Sequence, residues 1–327
     1  MAPENTASRR RRRVYVEMMR HEELIAPPAM SVVTRWGVGV VLAVRPWDLD
    51  GLPRVLAVLH EAGVDVTLWP MLADEAGRWA SAWNAEPFAA MAEEVLKTAA
   101  AAGSAGAAAG LLVDLEPPIE RMRAWLARPL ADVVRDLASR RPPDRLAGGA
   151  RLAALVAEAR AGGRDVEAAV APFLVFDRVD VGRWARVLGT PLDAEYTHVT
   201  AMAYTSILEG WSRGVLARSD TEALLGVFGE RAQGKVGARA GLSLGAVGHG
   251  ALGTEPCYRD VGELARDVAI AVHSGVDDLV LFELAGVLAR PPAHAWMEAF
   301  TRTPAAAPPD AKKRVRLLTH AMSLAGR

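Results

Sequence analysis

Two carboxyl groups two positions apart are the clearest chemical signal in the sequence. Asp114 and Glu116 end an apolar segment, Gly-Leu-Leu-Val-Asp-Leu-Glu, that spans residues 110–116. Because side chains alternate along a β-strand, both carboxyl groups point to the same face, together with Leu112. Burying them is costly unless they reach a polar cavity, and crowding raises the pKa of one of them, which suits a general acid. The alternative is that both carboxylates pair with arginines at the edge of the fold.

Further candidates follow the ends of other apolar segments. Trp69 ends one such segment and offers a large aromatic surface, while His249 lies between two glycines in a flexible loop. Glu17 and Glu283 are open to two interpretations, since each would either face a ligand or form a salt bridge. The candidate ligand-facing residues beyond the first pair are Glu17, Trp69, Tyr204, Thr205, His249 and Glu283.

Eight short apolar segments alternate with helical stretches, and each is predicted to be a β-strand. They are apolar on both faces, as expected of buried parallel strands. This eightfold alternation predicts an α/β fold, a (β/α)8 TIM barrel, whose active site lies at the carboxyl ends of the strands. A doubly wound open sheet is the alternative, but no Gly-x-Gly-x-x-Gly turn follows the first strand. The predicted strands are 14–19, 38–44, 64–69, 110–116, 166–171, 198–204, 240–247 and 278–284.

We expect three parts along the chain. They are a disordered basic tail at residues 1–13, the barrel at 14–302, and a linker with a basic helix at 303–327. The tail holds the arginine run Arg9–Arg13, but the apolar stretch of an export signal does not follow it, which favours a cytoplasmic protein. The helical segments predicted within the barrel are 52–62, 86–102, 119–138, 145–161, 222–231, 261–273 and 294–302.

Composition excludes several classes of function. The 327 residues include 38 lysines and arginines against 39 aspartates and glutamates, which argues against nucleic acid or a membrane surface as the main partner. The single cysteine, Cys257, excludes an intramolecular disulfide and a thiolate zinc cluster. No charge-free run of about 20 apolar residues predicts a transmembrane helix. The sequence gives no basis for predicting an oligomeric state.

Two segments resemble a known family. The segment 110–116, followed two strands later by Met202-Ala-Tyr204-Thr205, is similar to the chitinase-like barrels of glycoside hydrolase family eighteen. That family's fourth strand carries Asp-x-x-Asp-x-Asp-x-Glu, whose final glutamate is the general acid, and its sixth strand carries Met-x-Tyr-Asp, which holds the N-acetyl group. The resemblance covers roughly residues 14–300 and implies that Glu116 is the acid, Asp114 its partner and Tyr204 a substrate-binding residue.

The sequence departs from the family's pattern at several positions. Ala109 and Leu112 replace the two upstream aspartates, and Thr205 replaces the aspartate after the tyrosine. The eighth strand ends in Phe282 and Glu283, without the family's tryptophan. These departures bear on the N-acetyl clamp, and so on chitin as the substrate.

The resemblance implies hydrolysis of a glycosidic bond in a small oligosaccharide or glycoconjugate, without a cofactor. Trp69 would stack on a sugar ring, and Glu283 would supply a second carboxylate across from Glu116. One alternative is a metal-dependent hydrolase or isomerase, with a divalent cation held by Glu17, Asp114, Glu116 and Glu283. Another is a chitinase-like barrel that binds glycans without catalysis. The sugar and its linkage are left open.

Overall fold

Eight parallel strands close into a barrel in chain order. The computed structural model describes residues 11–129, 132–133, 135–136, 145–178 and 182–326. Each strand pairs with the next, and the first pairs with the last, which confirms the predicted (β/α)8 TIM barrel. The strands are β1 (Arg11–Val16), β2 (Gly39–Val44), β3 (Val66–Pro70), β4 (Gly110–Leu115), β5 (Val166–Val170), β6 (His198–Met202), β7 (Ala240–Gly245) and β8 (Asp278–Phe282).

Helices occupy the connections between the strands. They are α1 (His21–Leu24), α2 (Pro27–Trp36), α3 (Leu52–Glu61), α4 (Ala85–Ala100), α5 (Ser104–Ala108), α6 (Ile119–Leu126), α7 (Arg145–Ala161), α8 (Arg183–Leu188), α9 (Thr205–Trp211), α10 (Arg218–Val236), α11 (Val261–His273), α12 (Leu284–Ala289), α13 (Ala293–Arg302) and α14 (Lys313–Ala325). Short 3-10 turns lie at Pro46–Asp48, Asp74–Ala76, Pro172–Phe176 and Gly237–Arg239. Among the described residues, no helix is both long and apolar enough to cross a membrane.

Alternation along each strand divides the apolar side chains between two cores. One set faces outward and packs against the helices, and it includes Val14, Val40, Leu68, Leu111, Ala168 and Leu279. The other set points into the barrel, and it includes Tyr15, Val41, Trp69, Leu112, Ala169 and Val280. Because this period is two residues, the inward set continues at the strand ends to the polar residues of the candidate site.

An ionic cluster fills the amino-terminal end of the barrel. Arg13 is buried, and its guanidinium nitrogens lie 2.6 Å from a Glu167 carboxylate oxygen and 2.9 Å from an Asp278 carboxylate oxygen. Arg11 reaches the same two carboxylates, at 2.8 and 3.2 Å. The disordered tail predicted over residues 1–13 is therefore wrong for 11–13, which begin strand β1, and two buried carboxylates neutralise the charges of Arg11 and Arg13. Residues 1–10 lie outside the described residues.

Other predicted boundaries also shift. Helices α1 and α2, which connect β1 to β2, were not predicted from the sequence. The helix predicted over 222–231 is longer, because α10 spans Arg218–Val236. The helix predicted over 119–138 is described as α6 only to Leu126, and part of the remainder lies outside the described residues. Beyond the barrel, α14 packs through Val315 and Met322.

Candidate active site at the carboxyl end of the barrel

Polar side chains from four strand ends meet inside the carboxyl end of the barrel. Asp114 belongs to β4, and Glu17, Tyr204 and Glu283 follow β1, β6 and β8 within two residues. Burial, and in addition the negative charge of Glu17, raises the pKa values of Asp114, Glu116 and Glu283, so each of these three carboxyl groups lies within electrostatic reach of Glu17. The barrel thus brings together most of the candidate residues predicted at the carboxyl ends of the strands.

Asp114 is buried inside the barrel, on the same face of β4 as Leu112. Its pKa is raised well above the ordinary value, first by burial and then by the charges of Glu116 and Glu17. Trp69 acts in the opposite direction and favours the charged form of Asp114. Asp114 Oδ1 and Trp69 Nε1 have no hydrogen-bond partner among the described residues. The buried Asp114 Oδ1 is therefore an acceptor available to a ligand, whereas the Trp69 N–H also acts on the Asp114 carboxyl group.

Glu116 lies one residue beyond β4, where its backbone N–H donates to the Ala80 carbonyl oxygen at 3.1 Å. Burial, and then the charge of Glu17, raises the pKa of its carboxyl group to about 8. In the part of the chain that the structure describes, neither Glu116 nor Asp114 forms an ion pair. The alternative in which both carboxylates pair with arginines is therefore wrong. At neutral pH Glu116 carries the proton that a general acid needs.

Glu17 does form the ion pair considered for it. Its carboxylate accepts a hydrogen bond from Arg78 Nη1 at 2.8 Å, and Arg45 Nη2 lies 3.8 Å away. Arg78 is buried and also binds Asp74 at 2.7 Å. Burial raises the pKa of Glu17, while the two arginines oppose the rise. Glu17 therefore lies at the site with its charge balanced.

Glu283 caps the start of α12. Its Oε1 accepts a hydrogen bond from the backbone N–H of Gly286 at 3.1 Å, and Oε2 has no hydrogen-bond partner among the described residues. Burial raises the pKa of Glu283 to about 7, although the backbone N–H groups of Gly286 and Met18 oppose the rise. The helix start therefore fixes one oxygen of this carboxyl group and leaves the other available.

A cluster of hydroxyl groups and aromatic rings lies beside the carboxyl groups. The Tyr15 hydroxyl is 2.9 Å from Ser243 Oγ, and Ser243 also interacts with Tyr204. Phe282 packs between the two tyrosines, with its ring centroid 5.8 Å from Tyr15 and 5.6 Å from Tyr204. Burial raises the pKa values of both tyrosines, so their hydroxyl groups stay protonated and able to donate. The sequence analysis missed Tyr15 and Ser243, although Tyr15 lies two residues before Glu17 on the same face of β1.

Trp69 is at the site but is not an open stacking platform. Its side chain is 4% exposed, and its ring packs on Tyr15 with the centroids 5.1 Å apart. The ring of Trp69 is therefore enclosed by the barrel core, and its indole N–H favours the charged form of Asp114.

Thr205 is not brought to the site as predicted, and the prediction for His249 stays a prediction. Thr205 is fully buried, and its hydroxyl bonds to Asp267 and to Arg218, which hold it to α11 and α10. His249 is exposed, and its Nδ1 lies 2.9 Å from the Glu255 carbonyl oxygen of its own loop. The Thr205 prediction is wrong because partners distant in sequence use its hydroxyl, whereas only Nδ1 of His249 has a partner in its own loop.

Apolar side chains from the strand-end loops cover the carboxyl groups. Buried members of this cover are Met71, Trp79, Ile119 and Ile207, and Met122, Trp211, Leu252 and Cys257 pack against them. An apolar cover lowers the local dielectric, which accounts for the raised pKa values of the carboxyl groups beneath it. Within the described ranges, no group of three or more histidine, cysteine, aspartate or glutamate side chains is placed to hold a metal ion.

Comparisons with known proteins establish the fold. No family model and no curated protein matches the chain. Among solved structures, the PgaB (BpsB) glycoside hydrolase domain from Bordetella bronchiseptica is similar with a TM-score of 0.53 and 12% identity, over 90% of this chain and 99% of that one. A GH5_18 protein from Streptomyces cattleya in complex with Manb1-4GlcNAc gives 0.53 and 14%, over 90% and 82%. A chitinase from Chromobacterium violaceum gives 0.51 and 11%, over 90% and 98%. Identities this low support the barrel alone.

Proposed function

We propose that the protein hydrolyses a glycosidic bond in a small oligosaccharide or glycoconjugate, with Glu116 as the general acid. The observation that carries this proposal is the Glu116 carboxyl group, which follows the fourth barrel strand, has no ion pair among the described residues and has a pKa of about 8. Such a group is protonated at neutral pH and can donate its proton to the oxygen of a departing sugar.

The neighbouring groups have complementary roles in this proposal. Asp114 Oδ1 would accept a hydrogen bond from the substrate, and for an N-acetyl sugar it would orient the acetamide that attacks the anomeric carbon. Trp69 Nε1 and the Tyr204 hydroxyl would donate hydrogen bonds to the same sugar. Water-excluding side chains above the site would strengthen these interactions, because hydrogen bonds are stronger in a low dielectric.

The solved structures of similar fold lend support at a coarser level. One is described as a glycoside hydrolase domain, one as a chitinase, and one is a complex with a disaccharide. These neighbours favour a carbohydrate-acting barrel without selecting the substrate. The departure at Thr205 favours a substrate that is held without the family's N-acetyl clamp, because the Thr205 hydroxyl is already bonded to Asp267 and Arg218.

The test is turnover of a panel of nitrophenyl and natural glycosides by wild type and Glu116→Gln. The amide keeps the shape of the side chain but cannot deliver the proton, so we expect a loss of about 10²–10⁴-fold, smaller for nitrophenyl leaving groups. Glu61→Gln is the matched control, because Glu61 is exposed at the end of α3. Equal activity of wild type and Glu116→Gln would exclude Glu116 as the acid.

Two further outcomes identify the alternatives. Loss of wild-type activity in EDTA would favour the metal-dependent hydrolase or isomerase. Glycan binding without turnover by the wild type would favour the non-catalytic glycan-binding barrel. Location in the cytoplasm remains a prediction that fractionation of the native host would test.

A further inference from the structure

We propose that Arg45 and Trp47 form a subsite for a negatively charged substituent of the sugar, a carboxylate or a phosphate, beside the proposed active site. This inference rests on the proposed function, since it takes the ligand at this end of the barrel to be a carbohydrate. It assigns Arg45 a role in selecting the substrate and no part in bond cleavage.

Arg45 is placed at the site by the alternation of β2. The inward face of that strand carries Val41 and Ala43, and Arg45 is the next residue in the same register, immediately after the strand ends. Its Nη2 lies 3.8 Å from Glu17 Oε1. The charge of Glu17 in turn reaches Glu116, so Arg45 lies beside the carboxyl groups of the candidate site.

The hydrogen-bonding capacity of Arg45 is unused. Its side chain is only 18% exposed, yet its guanidinium group makes no hydrogen bond to any described residue. The nearby carboxylate of Glu17 already accepts a shorter bond from Arg78, at 2.8 Å. The guanidinium groups of Arg45 and Arg78 therefore share the Glu17 carboxylate. Burial, together with the charge of Arg78, lowers the pKa of Arg45. Although the charges of Glu17, Asp48 and Asp74 act on Arg45, an anionic ligand would supply the hydrogen-bond acceptors that its guanidinium group lacks.

The other nearby carboxylates are already bonded elsewhere. Asp48 Oδ2 accepts from the backbone N–H of Arg45 at 3.0 Å, and not from its guanidinium group. Asp74 binds Arg78 at 2.7 Å and Arg123 at 2.9 Å. A planar guanidinium with free N–H groups matches a carboxylate or phosphate through two parallel hydrogen bonds.

Trp47 adds a surface for the sugar ring. It is 65% exposed, more than any other large apolar side chain among the described residues. The Arg45 guanidinium carbon lies 5.6 Å from the centroid of its ring. A sugar stacked on the open face of Trp47 would bury this apolar surface and bring a charged substituent next to Arg45.

The test is isothermal titration calorimetry on the full chain carrying Glu116→Gln, so that bound sugar is not consumed. The first probe is a tetrasaccharide that alternates glucuronate with N-acetylglucosamine, and the second is the same tetrasaccharide after reduction of its carboxylates to hydroxymethyl groups. A charge-assisted contact of this kind predicts about ten- to hundredfold tighter binding of the charged probe. The third probe is N-acetylglucosamine 6-phosphate. If it binds more tightly than the glucuronate tetrasaccharide, and if this binding depends on Arg45, the anion is identified as a phosphate.

Variants assign the effect to the subsite. Arg45→Met should abolish the preference for the charged probe and change binding of the reduced probe by less than about threefold, whereas Arg45→Lys keeps the charge and should retain part of the preference. Trp47→Ala should weaken all probes about three- to tenfold. Arg54→Met is the matched control, because Arg54 is exposed on α3.

Binding also separates this inference from the proposed function. One outcome is that the wild type turns over no glycoside while the Glu116→Gln protein still prefers the charged probe in an Arg45-dependent way. That result would exclude the proposed hydrolase function and would still support the subsite. The subsite is overturned if the charged and reduced probes bind equally and the phosphate probe shows no dependence on Arg45. A preference that survives Arg45→Met, or no binding of any probe, overturns it as well.

Discussion

Glu17 and Glu116 are identical side chains at the ends of two barrel strands, and their partners give them different chemistry. Burial raises the pKa of both. Arg78 and Arg45 oppose this rise at Glu17 by favouring its charged form, while Glu116 experiences only a further negative charge. The arginines thus favour the charged form of Glu17, while nothing comparable opposes the rise at Glu116, which suits the role proposed for it because a general acid must hold its proton at working pH.

We therefore predict that activity is lost as pH rises through about 8. Because the pKa of Glu116 is about 8, the acid is protonated below that pH and ionised above it. The value of kcat/KM for an uncharged glycoside should fall about tenfold per pH unit on the alkaline side. The measurement is a pH profile of wild type and Glu116→Gln. An alkaline limb that persists unchanged in the residual activity of the variant would contradict this assignment.

The same raised pKa predicts a pH-dependent gain in stability for Glu116→Gln. The folded pKa of about 8 lies above the ordinary value of 4.5, so the folded state retains a proton that the unfolded state releases between these pH values. Wild type therefore loses stability through Glu116 as pH rises through this window, and the glutamine variant lacks this contribution. The difference in melting temperature should be near zero below pH 4.5 and largest above about pH 8. Glu61→Gln serves as the control, and a gain that does not vary with pH would argue against the proton linkage.

At the scale of elements, the strands could be predicted from the sequence more fully than the contacts among their ends. Each strand has a local apolar run, and the two-residue period alone places Asp114 and Glu116 on one face. Thr205 and Tyr15 form contacts that local sequence patterns do not predict. Thr205 bonds to Asp267, which lies 62 positions away, and Tyr15 bonds to Ser243, 228 positions away. Such contacts form only when the barrel closes, so spacing within one segment does not reveal them.

The loop between β7 and α11 carries a further prediction, that Cys257 is dispensable. Burial raises the pKa of its thiol, which keeps it protonated and a poor nucleophile. Its sulfur lies 3.4 Å from the Glu255 carbonyl oxygen and 3.8 Å from His249 Nδ1, contacts that a serine hydroxyl can also make. Cys257→Ser should leave glycoside turnover within a few-fold of wild type. A loss above about a hundredfold with an intact fold would reveal a thiol nucleophile.

At the scale of the whole molecule, the two ends of the barrel hold different sets of charged side chains. The amino-terminal end holds arginines and carboxylates that neutralise one another, while the carboxyl end holds carboxyl groups that lack such partners apart from Glu17. Barrels of this class generally separate stability from activity in this way. Substitutions at the amino-terminal end should therefore act on folding before they act on turnover.

Glu167→Gln tests this division. Burial alone would raise the pKa of Glu167, but the charges of Arg13 and Arg11 lower it, so the carboxylate is charged in the folded state. Removing that charge leaves buried guanidinium groups short of a partner, and we expect a loss of about 3–5 kcal/mol in the free energy of unfolding. Glu94→Gln, which breaks the exposed pair with Lys97 at 3.3 Å, should cost less than about 1 kcal/mol. Equal losses in urea titrations of the two variants would contradict the prediction.

The pairing of Arg13 with Asp278 also constrains how the protein is made. The two residues are 265 positions apart, one near the start of the chain and the other in the last strand. A ribosome adding about 5–20 residues per second needs on the order of 10–50 s to cover that interval. During this time the nascent chain exposes β1 as an unpaired edge, with an arginine whose final partner has not yet been synthesised. The β1–β8 pair that closes the barrel therefore forms only after β8 has been synthesised, and the earliest strand to emerge is among the last to be completed.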